Sequence, residues 1–525
     1  MVALEQYDYI FAITTVFAAL DAWNIGANDV ANAFATSVAS RSLTLKQAVA
    51  IASIMEFGGS VAAGARVTDT IRTRIIDPQL YHHDPGVLLL AMMCAIISSA
   101  CFLHVATQNG FPVSTTHSII GGLVGSGVAS VGMSNISWGW GGVSQVFAAW
   151  IIAPGIAGIL GVILFLITRF LVLMKRDAVR RAFFSIPVYV FITFGALSML
   201  VVWKGIDTVV EPTDTQILIS VFTVAGGATI LCSTFILPFL WRRIVYNDWQ
   251  LRWFHVWKGP YLLRLPPPPP APADVRVHNI TDYYRGHMNL EELRILRISE
   301  AMMHSVQASS TVAELMGKDT ESQSSPHSHI PLQDEPEKLR PHRPLGSWNS
   351  LPVLWWKLRH FFLHGVEQDV VTMQKRNTLL TWNIADMHAR ASRYDNKAEY
   401  MYSALQIMTA GASSFIHGSN DVANAMGPFT SAYYIWKTGT VQTQQSVPIW
   451  VLCFGGAAIV LGLLFHGYYV MQNLGNKLTL ISPSRGFCME LGSAITILMA
   501  TRLALPVSTP ARQWVSDSQM EIGDL

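Results

Sequence analysis

The stretch GANDVANAF, residues 26–34, returns as GSNDVANAM at residues 418–426. Across the octapeptides 26–33 and 418–425 seven of eight residues match, only Ala27 and Ser419 differing. Each copy sets two asparagines and an aspartate into a chain of 525 residues that is 51% hydrophobic and 13% charged. Soluble domains carry about 25% charged residues. An ionised carboxylate within an apolar segment is costly in lipid, and such residues mark ion or substrate pathways. The repeat therefore decides both the class of fold and where function lies.

Around the two copies the chain is apolar enough to cross a membrane, which takes roughly 20 helical residues. Spanning segments lie at about 47–65, 87–107, 112–131, 143–173, 183–203, 215–241, 448–471 and 486–505. The octapeptides add interrupted apolar segments at about 8–39 and 399–437. Backbone groups at an open sheet edge find no partner in lipid, which leaves an all-α polytopic membrane protein. The net charge of +2, with no basic cluster alternating with aromatics, gives no sign of a nucleic-acid partner. Cys94, Cys101, Cys232, Cys453 and Cys488 sit in apolar segments without metal-ligand spacing and read as small core residues. MVALEQYDYIF (1–11) has neither the basic region nor the small-residue cleavage site of a removable signal peptide.

Composition changes at WRRIVYNDW (241–249). From there to about 398 the chain is polar, with PPPPPAP at 266–272 and SQSSPHSHIP at 322–331, and buries too little apolar surface to fold alone. LPVLWWKLRHFFLHG (351–365) stands apart. Its Trp, Leu and Phe interleaved with Lys, Arg and His suit a helix in the membrane interface or one packed on the membrane domain. Basic residues in KRDAVRR (175–181) and at Arg242 and Arg243 place that side in the cytoplasm and the N-terminus outside, although Arg66, Arg72 and Arg74 fall on the other side. The expected organisation is a first transmembrane repeat over 1–174, connecting transmembrane helices over 175–241 and a cytoplasmic, largely disordered loop over 242–398. A second, incomplete repeat over 399–509 and a polar tail over 510–525 follow.

The recurrence exceeds the octapeptide. FGG stands at 57–59 and 454–456, and PVST at 112–115 and 506–509. From the first Asn of the octapeptide to this Pro is 84 residues in one copy and 86 in the other. Landmarks in one order at similar spacing indicate two homologous membrane halves. Secondary transporters are made this way, with the site near the midplane where the repeats meet. Seven crossings precede the loop on this count, which inverts the second half.

On a helix Asn28 and Asn32 stand four apart and Asp29 and Asn32 three apart, so these groups share one broad face. Gly26 and Gly418 are read as points where the helix breaks and exposes backbone carbonyls and amides. Asn also joins membrane helices by simple polar contact, but two copies, each with an aspartate (Asp29, Asp421), favour an ion site. FPVSTTHSIIGG (111–122) supplies the complement: Pro112 suits a helix start, and Ser114, Thr115 and Thr116 put hydroxyls beside free first-turn amides, an oxyanion site. Plain N-capping is the alternative, and recurrence at Ser508 and Thr509 weighs against it. No Lys or Arg accompanies these groups. Asp29 and Asp421 therefore repel an oxyanion unless cations lie between them, and carboxylate, amide and hydroxyl oxygens suit a hard cation. An anion that enters only with cations is symport.

The twin G-x-N-D-V-A-N-A motifs and twin PVST segments, divided by a long polar loop, resemble the PiT family of inorganic phosphate transporters. Within it they resemble the eukaryotic, fungal-type sodium-coupled symporters, over about 1–241 and 399–509. The resemblance implies two inverted repeats of transmembrane helices, with broken or re-entrant segments, that carry phosphate with sodium and perform no enzymatic reaction. It implies phosphate binding by Asn28, Ser114, Thr115, Thr116, Asn420, Ser508 and Thr509. Sodium falls to Asp29, Asn32, Asp421 and Asn424, and coupling to Glu56 and Glu490, for which salt bridges to Arg66 or Arg502 are the alternative. His104 and His417 receive no role, while the family's His after STT makes His117 a neighbour of the site. No cofactor is expected beyond sodium ions as co-substrate. The partners are phosphate, sodium and the lipid bilayer of the plasma membrane, and a homodimer stays open.

Rival readings are a phosphate-binding receptor that does not transport, a proton-coupled phosphate or sulfate carrier, and an intramembrane hydrolase using Ser114, His117 and Asp29. No G-x-S-x-G or metal-binding motif supports the last. One departure from the family pattern is marked. After Thr115 the first copy continues as THSIIGGLVGSGVAS and a further long span to 173, whereas the second runs from PVST into PARQWVSDSQMEIGDL, too charged for lipid. The expectation is that this form binds phosphate weakly and transports poorly, and that the native message resumes with a hydrophobic helix after PVST.

The sequons NIS at Asn135 and NIT at Asn279 are separated by three expected crossings. Asn135 should be glycosylated and Asn279 not. Endoglycosidase sensitivity that survives Asn135→Gln but vanishes in Asn279→Gln would overturn the orientation.

Overall fold

In a hydrocarbon core a backbone satisfies its own polar groups only by closing helical hydrogen bonds, and the apolar runs do so throughout. The computed structural model describes residues 4–65, 68, 77–140, 142–204, 213–272, 280–315, 343–374, 383–441 and 446–502. Among the described residues every regular element is helical. The first half holds α1 (Asp8–Asn28), α2 (Val30–Ala39), α3 (Leu45–Ala63), α4 (Pro85–Gln108), α5 (Thr115–Val131) and α6 (Val143–Thr168). The connecting helices are α7 (Ala178–Lys204), α8 (Asp214–Leu231) and α9 (Leu237–Val245). Beyond lie α10 (Leu290–Leu315), α11 (Leu351–Leu363), α12 (Asn396–Thr438), α13 (Ile449–Met471) and α14 (Pro483–Arg502).

Six described stretches are long and apolar enough to cross a membrane: Glu5–Ala39, Pro85–Gln108, Val143–Leu173, Ala178–Val202, Asp214–Val245 and Ile449–Lys477. The other segments expected to span form α3, α5, α12 and α14. Of these, α12 is buried along nearly its whole length, from Ala398 to Ile435. Its polar residues are therefore enclosed by neighbouring helices and never meet lipid. By contrast α8 turns Leu218, Ile219, Phe222 and Ile230 outward, a lipid-facing surface. Cys232 and Cys488 are buried as expected, whereas Cys94 and Cys101 face outward from α4.

Glycines set how the halves meet. A Cβ on Gly26 would stand 1.8 Å from the carbonyl oxygen of Ile459, and one on Gly462 would stand 1.8 Å from that of Trp23. The other pair repeats the arrangement: Gly418 against the Glu56 carbonyl at 2.3 Å and Gly59 against that of Phe415 at 2.1 Å. Thus α1 crosses α13 as α12 crosses α3, each motif helix packing on the helix that follows the motif segment in the opposite half. Trp23 and Gly26 occupy the places of Phe415 and Gly418. This packing pairs Gly59 with Gly462, whereas the FGG match pairs it with Gly456, so that landmark is out of register with the contacts. The reason is steric, because only the glycine that faces a carbonyl fixes where two helices cross.

The glycines are not helix breaks. Gly26 lies inside α1 and Gly418 inside an unbroken α12. The one interruption, in the first copy, falls at Asp29 between α1 and α2.

Segment 242–398, whose composition suggests little packed structure, is anchored at its described ends by buried ionic groups. The Arg242 guanidinium pairs with Asp248 and donates to the carbonyls of Leu262, Leu265 and Pro266, fastening the chain to the start of the proline run. Farther on, Glu367 accepts from both Arg359 at 2.7 Å and Lys46 at 2.9 Å, which ties α11 to the start of α3. Burial alone would raise the Glu367 carboxyl; the two cations outweigh it and hold it below its ordinary range. Helix α11 leaves Leu354, Trp355, Leu358 and Phe361 exposed, while Phe361 and Phe362 also reach Phe465 of α13. Both readings of 351–365, membrane interface and packing on the domain, thus find contacts that suit them. The tail 503–525 lies outside the described residues.

Overpacking a close helix contact costs about 1–3 kcal/mol, so Gly26→Val and Gly418→Val should each lower the unfolding temperature in detergent. Gly121→Ala, whose added carbon meets no atom within 4 Å, should leave it unchanged. Equal stability of all three variants would remove the glycine contacts as the determinant of packing.

Candidate functional site

The interruption at Asp29 brings a carboxylate to the point where α1, α2, α5 and α12 converge. Thr115, the first residue of α5, donates from Oγ1 to Asp29 Oδ2 at 2.6 Å. From α12, Asn424 Nδ2 reaches Thr115 Oγ1 and Thr116 Oγ1, both at 3.1 Å, and Asp421 Oδ1 at 3.0 Å. The two motif aspartates and the STT segment, 392 and 86 positions apart in the chain, share one buried cluster. Sequence reasoning expected this meeting, and the hydrogen bonds show how it is made.

It missed the centre of the cluster. His417 Nε2 lies 2.8 Å from Asp421 Oδ2 and 3.9 Å from Asp29 Oδ2, and its Nδ1 lies 2.8 Å from Glu56 Oε2. Ser414 donates to the other Glu56 oxygen at 2.6 Å. Ser414, His417, Asp421 and Asn424 stand three, four and three apart on one stripe of α12. That spacing was legible; treated singly, a membrane histidine reads as packing, and His417 was passed over. Atoms of Asp29, His417 and Asp421 lie within 4.8 Å of one another. Asp29 Oδ1 and Asn424 Oδ1 are buried without a donor among the described residues. The cluster thus gathers carboxylate and amide oxygens around a gap in their hydrogen bonding.

Other expected residues divide. Asn28 Nδ2 donates to Thr107 Oγ1 and the Phe111 carbonyl, and its Oδ1 accepts from the Val113 amide. It fastens the turn that delivers α5 to Asp29. Ser114 caps α5, its Oγ accepting the His117 amide at 3.2 Å. Pro112 accordingly precedes the helix, which starts at Thr115. The His117 ring lies against Trp150, with centroids 3.9 Å apart. Asn420 is buried on α12. Glu490 of α14 forms a separate buried hub, accepting from Thr36 at 2.6 Å, Thr409 at 2.5 Å and Ser37 at 3.4 Å. Glu56 and Glu490 are thus held by hydroxyls, with His417 added at Glu56. The Asn32 side chain, Arg66, the Arg502 side chain, Ser508 and Thr509 lie outside the described residues.

Helices closed around carboxylates that only a cation or proton can neutralise define a membrane carrier. Residues 25–512 match the profile of the phosphate transporter family, and the chain belongs to that family. It is 46% identical over 528 residues to the phosphate-repressible phosphate permease pho-4 of Neurospora crassa, covering 96% of this chain and 89% of that one. Sodium-dependent phosphate transporter 1 of Homo sapiens is 28% identical over 590 residues, covering 91% of this chain and 85% of its own. A solved structure of a sodium-dependent phosphate transporter superposes with a TM-score of 0.56 at 22% identity, over 98% of this chain and 89% of that chain. Family membership makes the chain a transporter rather than an enzyme and sets the hydrolase reading aside.

A hydrogen bond to a charged group contributes about 1.5–3 kcal/mol, or ~10-fold or more in an equilibrium. His417→Ala removes the imidazole that lies 2.8 Å from both Glu56 and Asp421, so phosphate uptake should fall about that far while the protein still reaches the membrane. Unchanged uptake would show that the imidazole only fills space.

Proposed function

We propose that this chain carries inorganic phosphate across the membrane together with sodium ions, and that the Asp29–His417–Asp421 cluster is where they meet. The observation that carries the reading is the convergence of Asp29, Asp421 and Asn424 on the first turn of α5. Carboxylate and amide oxygens bind a hard cation, and first-turn amides favour an anion. Neither ligand is stable there alone, because phosphate and the carboxylates repel one another.

Sodium is assigned to Asp29, Asn32, Asp421 and Asn424. Phosphate is assigned to Thr115 and Thr116 with Asn28, Asn420 and Ser114, and on the opposite half to Ser508 and Thr509. Thr115 now gives its hydroxyl proton to Asp29. A sodium ion on that carboxylate takes over its neutralisation and frees the hydroxyl to turn to phosphate, so cation binding prepares the anion site. Glu56, joined to the cluster through His417, and Glu490, seated among α2, α12 and α14, are the groups through which occupancy alters helix contacts. The permease and sodium-dependent transporters named above support phosphate as cargo and sodium as partner ion. With the inverted halves read from the sequence go a plasma-membrane location, an outside N-terminus, a cytoplasmic 242–398 loop and a homodimer.

The test is radiolabelled phosphate uptake in cells lacking their own phosphate transporters, with sodium replaced by choline or by an imposed proton gradient. Asp29→Asn and Asp421→Asn should each abolish sodium-dependent uptake with surface expression intact. Ordinary sodium activation in either variant, or uptake driven equally by choline medium, defeats the assignment; competition by sulfate at equal concentration defeats the choice of cargo.

A further inference from the structure

One buried carboxylate belongs to neither motif. Asp21 lies on α1, two turns before Asp29, fully buried, and neither of its oxygens closes a hydrogen bond of ordinary geometry. Its neighbour across the helix contact is Ser99 of α4, buried, its hydroxyl likewise closing no such bond. Serine in a helix ordinarily bonds back to a carbonyl one turn earlier, as Ser130 and Ser60 do here. Ser99 does not.

The surroundings make this gap specific. The faces of α1 and α4 are joined by a polar ladder. Asn24 donates to the Ala100 carbonyl at 3.1 Å and its Oδ1 stands 3.4 Å from His104 Nδ1. One turn on, Asn28 donates to Thr107 and to the Phe111 carbonyl. Those two rungs close with ordinary hydrogen-bond geometry; at the third, Ser99 stands near the Asp21 carboxyl without closing such a bond. Eight residues of helix separate Asp21 from Asp29 by about 12 Å along the axis, so one ion cannot be held by both carboxylates. The second half has no equivalent acid, since Ser413 stands where the repeat would place it.

We propose that Asp21 and Ser99 form a separate sodium site between α1 and α4, outside the twin-motif centre. Three buried oxygens that close no ordinary hydrogen bond are a donor set for a hard monovalent cation, and a single carboxylate matches its single charge. A cation there neutralises α1 ahead of the interruption at Asp29 and braces the helix pair that carries Asn28 and its turn. The proposal rests on the sodium-coupled reading above and adds a cation to it.

The experiment uses the full chain, purified and reconstituted into vesicles, with radioactive sodium and phosphate uptake measured together and equilibrium sodium binding measured on the same protein in detergent. Asp21→Asn should carry fewer sodium ions per phosphate than wild type, give a less steep sodium activation, and bind fewer sodium ions at equilibrium. Ser99→Ala should keep the ratio and raise the half-saturating sodium concentration several-fold. If Asp21→Asn does not transport or fold, Ser99→Ala and its equilibrium binding decide. An unchanged ratio and sodium-binding count in Asp21→Asn, or an unchanged sodium requirement in Ser99→Ala, overturns the site. A variant altered only in the pH dependence of uptake overturns it in favour of a proton. Wild-type uptake that ignores sodium would instead defeat the parent reading, and the two failures are told apart by that control.

Discussion

An ionised carboxylate in a low-dielectric interior must find a partner or give up its charge, and this molecule buries Asp21, Asp29, Glu56, Glu399, Asp421 and Glu490. The helices are arranged around how these groups are answered. Glu490 receives hydroxyls from α2 and α12; Glu56 receives a hydroxyl and an imidazole. Glu399 accepts the amide and hydroxyl of Ser484 at the start of α14. Asp29 is answered in part, by Thr115 at 2.6 Å and by His417 at 3.9 Å, with Oδ1 closing no hydrogen bond. The buried carboxylates thus differ in how fully the protein itself answers them.

His417 connects the two kinds. One ring nitrogen faces Glu56 on α3 and the other Asp421, with Asp29 close by. The imidazole therefore stands between Glu56, which Ser414 also holds, and the two motif aspartates. Neutralising Asp421 changes what His417 must supply to Glu56, and α3 is the helix whose backbone presses on Gly418. Occupancy of the centre and the crossing of α12 with α3 are thereby joined through one residue and one steric contact.

The same glycine contacts explain why a motif this polar survives in a membrane. Gly26 and Gly418 let the carbonyls of α13 and α3 approach the motif helices closely, which shuts lipid away from the Asn and Asp side chains that follow. A helix break would have opened the backbone there; close packing encloses it instead. The reciprocal pattern holds in both copies although the helices differ in continuity, because the constraint is the absence of a side chain, not a backbone conformation.

The helical class, the repeated motif and the candidacy of Asp29, Asp421, Thr115 and Asn424, which the fold gathers into one buried cluster, were legible in the sequence, because hydrophobic length and a repeated polar motif are local properties. The anchored parts of 242–398 were not, since Arg242 and Glu367 gain their partners only when distant carbonyls and Lys46 arrive. Nor were the hydrogen bonds by which Asn28 fastens the turn before α5, since Thr107, Phe111 and Val113 reach it only in the fold. His417 and Asp21 complete the contrast. His417 has Asp421 one helical turn away, while Asp21 has no ionisable neighbour at that spacing. Asp421 stands one turn from His417 on α12, but only packing against α3 brings Glu56 and only the α1–α2 interruption brings Asp29; only the packing of α1 against α4 encloses Asp21 with no ordinary hydrogen bond closed. The sequence by itself determined which polar groups enter the membrane; tertiary structure decided which of them are already answered there, because a charge is neutralised across helix contacts that no local pattern encodes.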